Sequence, residues 1–314
     1  MFEQTFKNFT INFNSVSERF TVSSGDIVTG QLGFDLTKDT SINSITIKIV
    51  GQVNVHWSSG SSKNRRHYSA KVEYFKLKSN LLQNGAVSSA AAKLRPGRYA
   101  YPFTCHIPHG DFPSSFKGAF GEIKYTFKVS ISRSWHLDKD FATDLDFVNR
   151  INMNQPDLWS PMSGANSKTL CCLWCASGPI TMDARLEKKA FAPGEVVKIF
   201  CEFGNASSRV VTPTVKLQQK QSFFTHNRVS SRLHFRTLAS ETGQPLNPHG
   251  SAVHTMLMLT IPADASPTIS NCSVLVVDYV IELSLRMTAS SNLVVIFPII
   301  LYEPPMMTLP PPYS

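Results

Sequence analysis

Apolar residues recur at every second position through almost every readable stretch of this chain, and that period leaves little choice of architecture. In "SITIKIVGQVNVHW", Ile45, Ile47, Ile49, Val53, Val55 and Trp57 share one face. In "IKYTFKVSI", Ile123, Tyr125, Phe127, Val129 and Ile131 oppose Lys124, Thr126, Lys128 and Ser130. In "VDYVIELSL", Val277, Tyr279, Ile281, Leu283 and Leu285 oppose Asp278, Glu282 and Ser284. Side chains alternate across a strand, so each segment reads as a half-buried antiparallel strand. No segment of helical length carries a clean 3.6-residue stripe; Ala86 to Lys93 is rich in Ala and Ser but has no apolar face. Many short strands joined by Gly and Pro turns predict an all-β fold of sandwich type. Hydrophobic residues make up 42% of the chain and charged residues 17%, enough for a substantial core.

The strand pattern is written twice. "SSGDIV" at Ser23 to Val28 matches "APGEVV" at Ala192 to Val197: a turn glycine, an acid, then a strand. Further on, Pro108 matches Pro262, Pro113 matches Pro267 and Tyr125 matches Tyr279, each pair at the same spacing, while Gly25 and Gly194 lie 15 residues further apart. The first copy therefore carries an insertion, expected in the polar stretches Ser58 to Arg66 and Gln83 to Arg98. Two tandem sandwiches follow, with boundaries expected at 1–150 and at 151–302, and a tail over 303–314. The join is expected in "NRINMNQPDLWSPMSGANSK", Asn149 to Lys168, which has weak periodicity and two prolines.

The first residues, "MFEQTFKNFT", lack a cationic start followed by an apolar run. The longest apolar stretch, Leu293 to Leu301, is interrupted by Pro298 and falls short of the roughly 20 residues of a spanning helix. A cytoplasmic protein is expected, with its six cysteines as thiols rather than a disulfide frame. The net charge of +9 favours acidic or phosphorylated partners and anionic membrane surfaces.

The chain ends "LPPPYS". Proline fixes φ and pushes its predecessor to extended geometry, so Pro310, Pro311 and Pro312 are expected to form a stiff polyproline II rod with Tyr313 at its tip. "KNRRHY", Lys63 to Tyr68, gathers three cations, and Lys63, Arg65 and Arg66 are candidate contacts for phosphate or acidic lipid headgroups; the alternative is a solvated loop.

Several strings together carry a family resemblance. "FTINFNS", "SSGDIVTGQL", "SSFKGAFGEIKYTFKV", "NMNQPDL", "ARLEKKAFAPGEVVKI" and "NCSVLVVDYVIELSL" run nearly end to end. On these the chain resembles the α-arrestins, the arrestin domain-containing proteins. The resemblance implies two arrestin-type antiparallel β-sandwiches, immunoglobulin-like, ahead of a short proline-rich tail. It implies an adaptor and not an enzyme, engaging membrane receptors or transporters as cargo and recruiting HECT-type ubiquitin ligases that bear WW domains. Within that family Pro310, Pro311 and Tyr313 are a PPxY motif, which WW domains grip in an aromatic groove. "YEPPMM" is a near miss, since Met307 stands where tyrosine is needed. With one motif where relatives commonly carry two, ligase binding without avidity is expected. The resemblance places the protein in the cytoplasm, peripherally on plasma membrane and endosomes. One family member, thioredoxin-interacting protein, binds thioredoxin through a cysteine of its C-domain; the matching stretch here, "NPHGSAVHTMLMLTIP", has none, so thioredoxin binding is not implied.

Competing readings are weaker. Cys171, Cys172 and Cys175 include a C-x-x-C pair, but zinc needs four ligands and no second pair exists; Cys201, His226 and His234 would have to be brought in by the fold. Small apolar cysteines on a strand near the hinge are the simpler reading, and reversible acylation is another. Asp144 and Asp146 read as surface carboxylates. No phosphate loop, dinucleotide fingerprint, metalloprotease or serine-hydrolase signature is present, and no cofactor, metal or nucleic-acid partner is expected. A sorting or coat subunit acting without a ligase is the alternative within the fold.

Overall fold

The computed structural model describes residues 5–14, 21–82, 92–152, 154–172, 175–288 and 290–304, with backbone alone at 170–172 and 175–177. The chain divides into two compact units. The first runs to Asn149 and takes in Phe224–Ser230 and Asn271–Val274; the second comprises Arg150–Phe223, Ser231–Ser270 and the chain from Leu275 on.

Among the described residues, ten strands build the first unit: β1 (Phe6–Phe13), β2 (Thr21–Val22), β3 (Ile27–Leu36), β4 (Thr40–Ser59), β5 (Arg66–Asn80), β6 (Ala92–Leu94), β7 (Gly97–His106), β8 (Phe116–Lys117), β9 (Gly121–Arg133) and β10 (His136–Phe147). One sheet has the order β1-β3-β7; the other runs β2-β10-β9-β4-β5, with β6 on β4 and β8 on β9. The alternation read from the sequence is what closes this sandwich. Ile45, Ile47, Ile49, Val53, Val55 and Trp57 of β4 are all buried, as are Ile123, Tyr125, Phe127, Val129 and Ile131 of β9. Each such side chain contributes roughly 1.5–3 kcal/mol by leaving water. Phe127 meets Phe13 and Phe103 of the opposite sheet at ring distances of 5.2 and 5.0 Å. Gly51 is the gap in the β4 face, because a Cβ there would stand 2.5 Å from the Tyr125 ring.

Nine strands arise from the remaining described residues: β11 (Met162–Cys172), β12 (Cys175–Leu186), β13 (Ala190–Phe191), β14 (Val196–Asn205), β15 (Val211–Phe224), β16 (Ser231–Thr242), β17 (Gly250–Thr260), β18 (Leu275–Met287) and β19 (Leu293–Leu301). They form one sheet of order β11-β12-β14-β17 and another of order β13-β19-β18-β15-β16. Val277, Tyr279, Ile281, Leu283 and Leu285 of β18 are buried, as their spacing predicts.

The repeat is physical, not only textual. In the first unit the Ser23 N–H donates to Asp26 Oδ2 (2.8 Å), and the Ile107 N–H donates to the Asp26 carbonyl (2.9 Å). In the second, the Ala192 N–H donates to Glu195 Oε2 (2.9 Å) and the Ile261 N–H to the Glu195 carbonyl (2.9 Å). Gly25 and Gly194 occupy the left-handed region at φ of 80° and 84°, which glycine alone enters without penalty. Each turn is preceded by a two-residue strand pairing in parallel with the last long strand of its unit, β2 on β10 and β13 on β19. Each unit also closes a tyrosine onto a loop carbonyl: Tyr125 donates to Pro113 (2.7 Å) and Tyr279 to Ser266 (2.7 Å).

Two places differ from the sequence reading. The stretch expected as the join becomes strand from Met162 onward, since β11 pairs along β12 from Met162↔Leu186. Its Ser163, Gly164, Ala165, Asn166 and Ser167 carry no apolar alternation to reveal this; Gly164 sits where a Cβ would stand 2.6 Å from Val295. Within the expected loop Gln83 to Arg98, β6 returns to pair with β4 at Thr40↔Leu94. Near the start of the second unit, ahead of β11, Pro156–Trp159 forms a single 3₁₀ turn, the only helical element among the described residues.

Candidate functional site

Pro310, Pro311 and Tyr313 lie outside the described residues. What the structure does describe is the anchor from which that segment departs. At the end of β19 the Ile300 N–H donates to the Lys189 carbonyl (3.0 Å), the Leu301 N–H to Thr268 Oγ1 (2.9 Å) and the Tyr302 N–H to the Phe191 carbonyl (3.1 Å). The Tyr302 ring meets Trp159 edge-on at 6.2 Å.

The cationic stretch Lys63, Arg65 and Arg66 sits at the tip of the β4–β5 hairpin, all three exposed. Gly60, at φ 95°, permits the turn, where any Cβ would run into the Asn64 carbonyl. Below the tip the stem is stiffened by Trp57 stacked on Tyr68 (5.2 Å) and His56 on His67 (6.0 Å). Arg65 folds back, donating from Nε and Nη2 to Ser58 Oγ at 3.1 and 2.9 Å. Of the three cations, Lys63 and Arg66 are thus the ones presented outward, while Arg65 is shared with its own hairpin.

The second unit carries an open trough of about 820 Å³ on the solvent face of β11-β12-β14-β17. Arg185, Phe200 and Met256 lie abreast in its floor, because Arg185 pairs with Phe200 and Phe200 with Met256. The next rank holds Asp183, Glu202 and His254, with His254 Nδ1 3.8 Å from Glu202 Oε2. Val196 and Met258 are further exposed apolar residues on the same face of the sheet. The sequence held a signal for this trough that the alternation argument passed over. In "VVKIFCEF" the buried face is Val197, Ile199, Cys201 and Phe203, yet Val196 and Phe200 are large apolar residues on the other face.

Among the described residues, none of the trough's hydroxyls or its thiol is hydrogen-bonded to His254, Asp183 or Glu202. The Cys201 side chain points to the interior, 5% exposed, and burial pushes its thiol up to about 12, so the reactive thiolate is suppressed. Cys105, Cys201 and Cys272 are free and buried. Cys172 pairs with Cys175 at the end of the β11–β12 ladder, which puts them on strands; their side chains and that of Cys171 lie outside the described residues. Among the described residues no three His, Cys, Asp or Glu side chains converge as a metal would require. Asp144 is exposed on β10 and pairs with Lys124 at 3.1 Å; Asp146 is exposed two residues further on. Among the described residues no helix is long and apolar enough to cross a membrane.

Two β-sandwich units with duplicated turns and duplicated tyrosine closures define an arrestin-type protein. Residues 9–154 match the model of the arrestin (or S-antigen) N-terminal domain, and residues 176–306 that of the arrestin (or S-antigen) C-terminal domain. The chain is 25% identical over 287 residues to arrestin domain-containing protein 4 of Mus musculus, covering 89% of this chain and 68% of that relative. It is 24% identical over 299 residues to thioredoxin-interacting protein of Mus musculus, covering 94% of this chain and 73% of the relative. The chain belongs to the α-arrestin family.

Proposed function

We propose that this α-arrestin is a trafficking adaptor that links membrane receptors or transporters to WW-domain HECT-type ubiquitin ligases, for ubiquitination, endocytosis and endosomal sorting. The observation that carries the reading is a PPxY motif, Pro310, Pro311 and Tyr313, placed behind two arrestin domains. Proline rings restrict φ, so a proline-rich segment has less entropy to lose on docking, and the tyrosine ring would supply the contact that fixes register. The chemistry of ubiquitin transfer belongs to the ligase; this protein contributes proximity, raising the effective concentration of cargo. Its working place on this reading is the cytoplasmic surface of plasma membrane and endosomes. The exposed tip cations, Lys63 and Arg66 with Arg65 behind them, suit phosphate groups on cargo tails or lipids.

The test is capture of a WW domain by the whole chain, compared with Tyr313→Ala. Capture is expected to be lost in the variant with the circular-dichroism spectrum unchanged. Equal capture by the two proteins removes the tail from the mechanism.

A further inference from the structure

Register places like charges side by side on the solvent face of the larger sheet of the first unit. Lys48 of β4 is directly opposite Lys78 of β5 on one side and Lys128 of β9 on the other. Lys76 follows one rank along, opposite Val50. Adjacent strands are about 4.8 Å apart, so three ammonium-bearing stems span only about 10 Å, within one Debye length at ~0.1 M salt. Like charges directly opposite in a sheet are destabilising. The arrangement is only partly relieved from within. Lys128 pairs with Asp140 at 2.7 Å, and Lys124 with Asp144. Lys48 adds to the field that lowers the Asp140 carboxyl, an effect led by hydrogen bonds from Lys128 and Ser130. Among the described residues Lys48, Lys76 and Lys78 make no ion pair. The same face carries Lys71, Glu73 and Glu122 further along toward the hairpin tip, and the exposed Asp146 beyond Asp144 on β10. Glu73 of β5 apart, the acids thus lie on the β9–β10 side and the unpaired cations Lys48, Lys76 and Lys78 on the β4–β5 side.

We propose that this row, Lys48, Lys76 and Lys78, is a docking face for an anionic bilayer surface. Three features select a bilayer over a phosphorylated peptide. The row is made of lysines without an arginine, and lysine acts as a point charge where arginine forks are the tool for bidentate phosphate recognition. It spreads across neighbouring strands of an open sheet face, which suits a laterally extended array of headgroups. Its repulsion is relieved by any negative surface, with no demand on the position of a single phosphate. The inference rests on the membrane-adaptor reading for its use, and names the surface that faces the membrane. The two stand or fall on separate measurements, because WW capture reads the tail and vesicle binding reads the sheet.

The experiment is co-sedimentation of the whole chain with phosphatidylcholine vesicles containing about 30% phosphatidylserine, at ~0.1 M salt, with pure phosphatidylcholine vesicles alongside. Lys48→Gln/Lys76→Gln/Lys78→Gln is compared with wild type and with Lys198→Gln/Lys216→Gln/Lys220→Gln, an equal charge loss in the second unit. Each lysine near such a surface changes partitioning about five-fold, so the row variant is expected to lose on the order of 100-fold and the control less than five-fold. Relief of repulsion makes the melting temperature of Lys48→Gln equal to or above that of wild type, which separates lost binding from lost folding. No binding of wild type to anionic vesicles, undiminished binding by the row variant, or equal loss in both variants overturns the proposal. So does a phosphoserine peptide whose binding falls in the row variant while vesicle binding does not.

Discussion

Replacing Tyr279 by phenylalanine is expected to cost more than the same change at Tyr125, and the reason lies in who else depends on the hydroxyl. Both tyrosines are buried, and both donate to a loop carbonyl at 2.7 Å. Tyr279 also accepts from Gln219 Nε2 at 2.6 Å, and Gln219 Oε1 in turn accepts from Gln221 Nε2 at 2.7 Å. Gln219 and Gln221 are each 4% exposed. Tyr125→Phe therefore loses one hydrogen bond and leaves the Pro113 carbonyl unpaired, a cost of about 1–2 kcal/mol. Tyr279→Phe also strands a buried amide donor, which adds about 1–3 kcal/mol. Hydrogen exchange read by peptides from β18 and β9 measures the opening free energy of each unit separately. The expected result is a larger loss of protection in β18 for Tyr279→Phe than in β9 for Tyr125→Phe. Adding Gln219→Leu and Gln221→Leu together to Tyr279→Phe should recover part of the loss, since removing the linked amides with the hydroxyl costs less than orphaning one of them. Equal losses, or no recovery in the triple variant, would refute the reasoning.

Two further outcomes follow from the same geometry. Gly194→Ala is expected to cost about 1–2 kcal/mol from its left-handed backbone alone, as no atom stands within 4 Å of the added Cβ; Gly25→Ala should cost more because its Cβ meets the His109 ring, and urea melts of the two variants check the order. The Cys201 thiol, raised to about 12 from 9.0 by burial, ionises first in the unfolded chain. Its contribution to stability is whole below pH 9 and is lost as pH rises from 9 toward 12, with a slope of at most about 1.4 kcal/mol per pH unit from one proton. Cys201→Ala should flatten the stability profile in that window whatever its uniform cost, and a parallel profile would show the thiol to be uninvolved.

How much of this could be read from the sequence depended on whether the signal was local. The β4, β9 and β18 faces are visible because alternation is local and one side is buried. The paired turns are visible because glycine and an acid recur in the same order. Strand β11 was hidden by small polar residues, and the two-residue strands β2 and β13 are too short to show any period. The trough needs Arg185, Phe200 and Met256, and the lysine row needs Lys48 beside Lys76 and Lys78, residues that are not neighbours in the chain. Register alone makes them neighbours, and register is a property of the folded ladder. The proposed PPxY motif stands at the opposite limit, a pattern of four adjacent letters that involves no register at all.

The bonds that hold residues 300 to 302 have a mechanical consequence. They come from both flanks of β19: Lys189 and Phe191 of the 189–191 segment accept on one side, and on the other Thr268 accepts through its hydroxyl and donates its N–H to the Leu301 carbonyl at 2.8 Å. A load applied to the chain beyond Pro304 meets these links before it can draw out the strand. Tension from a tethered assembly would thus be borne across the sheet, as a rivet bears shear, rather than by peeling one bond at a time.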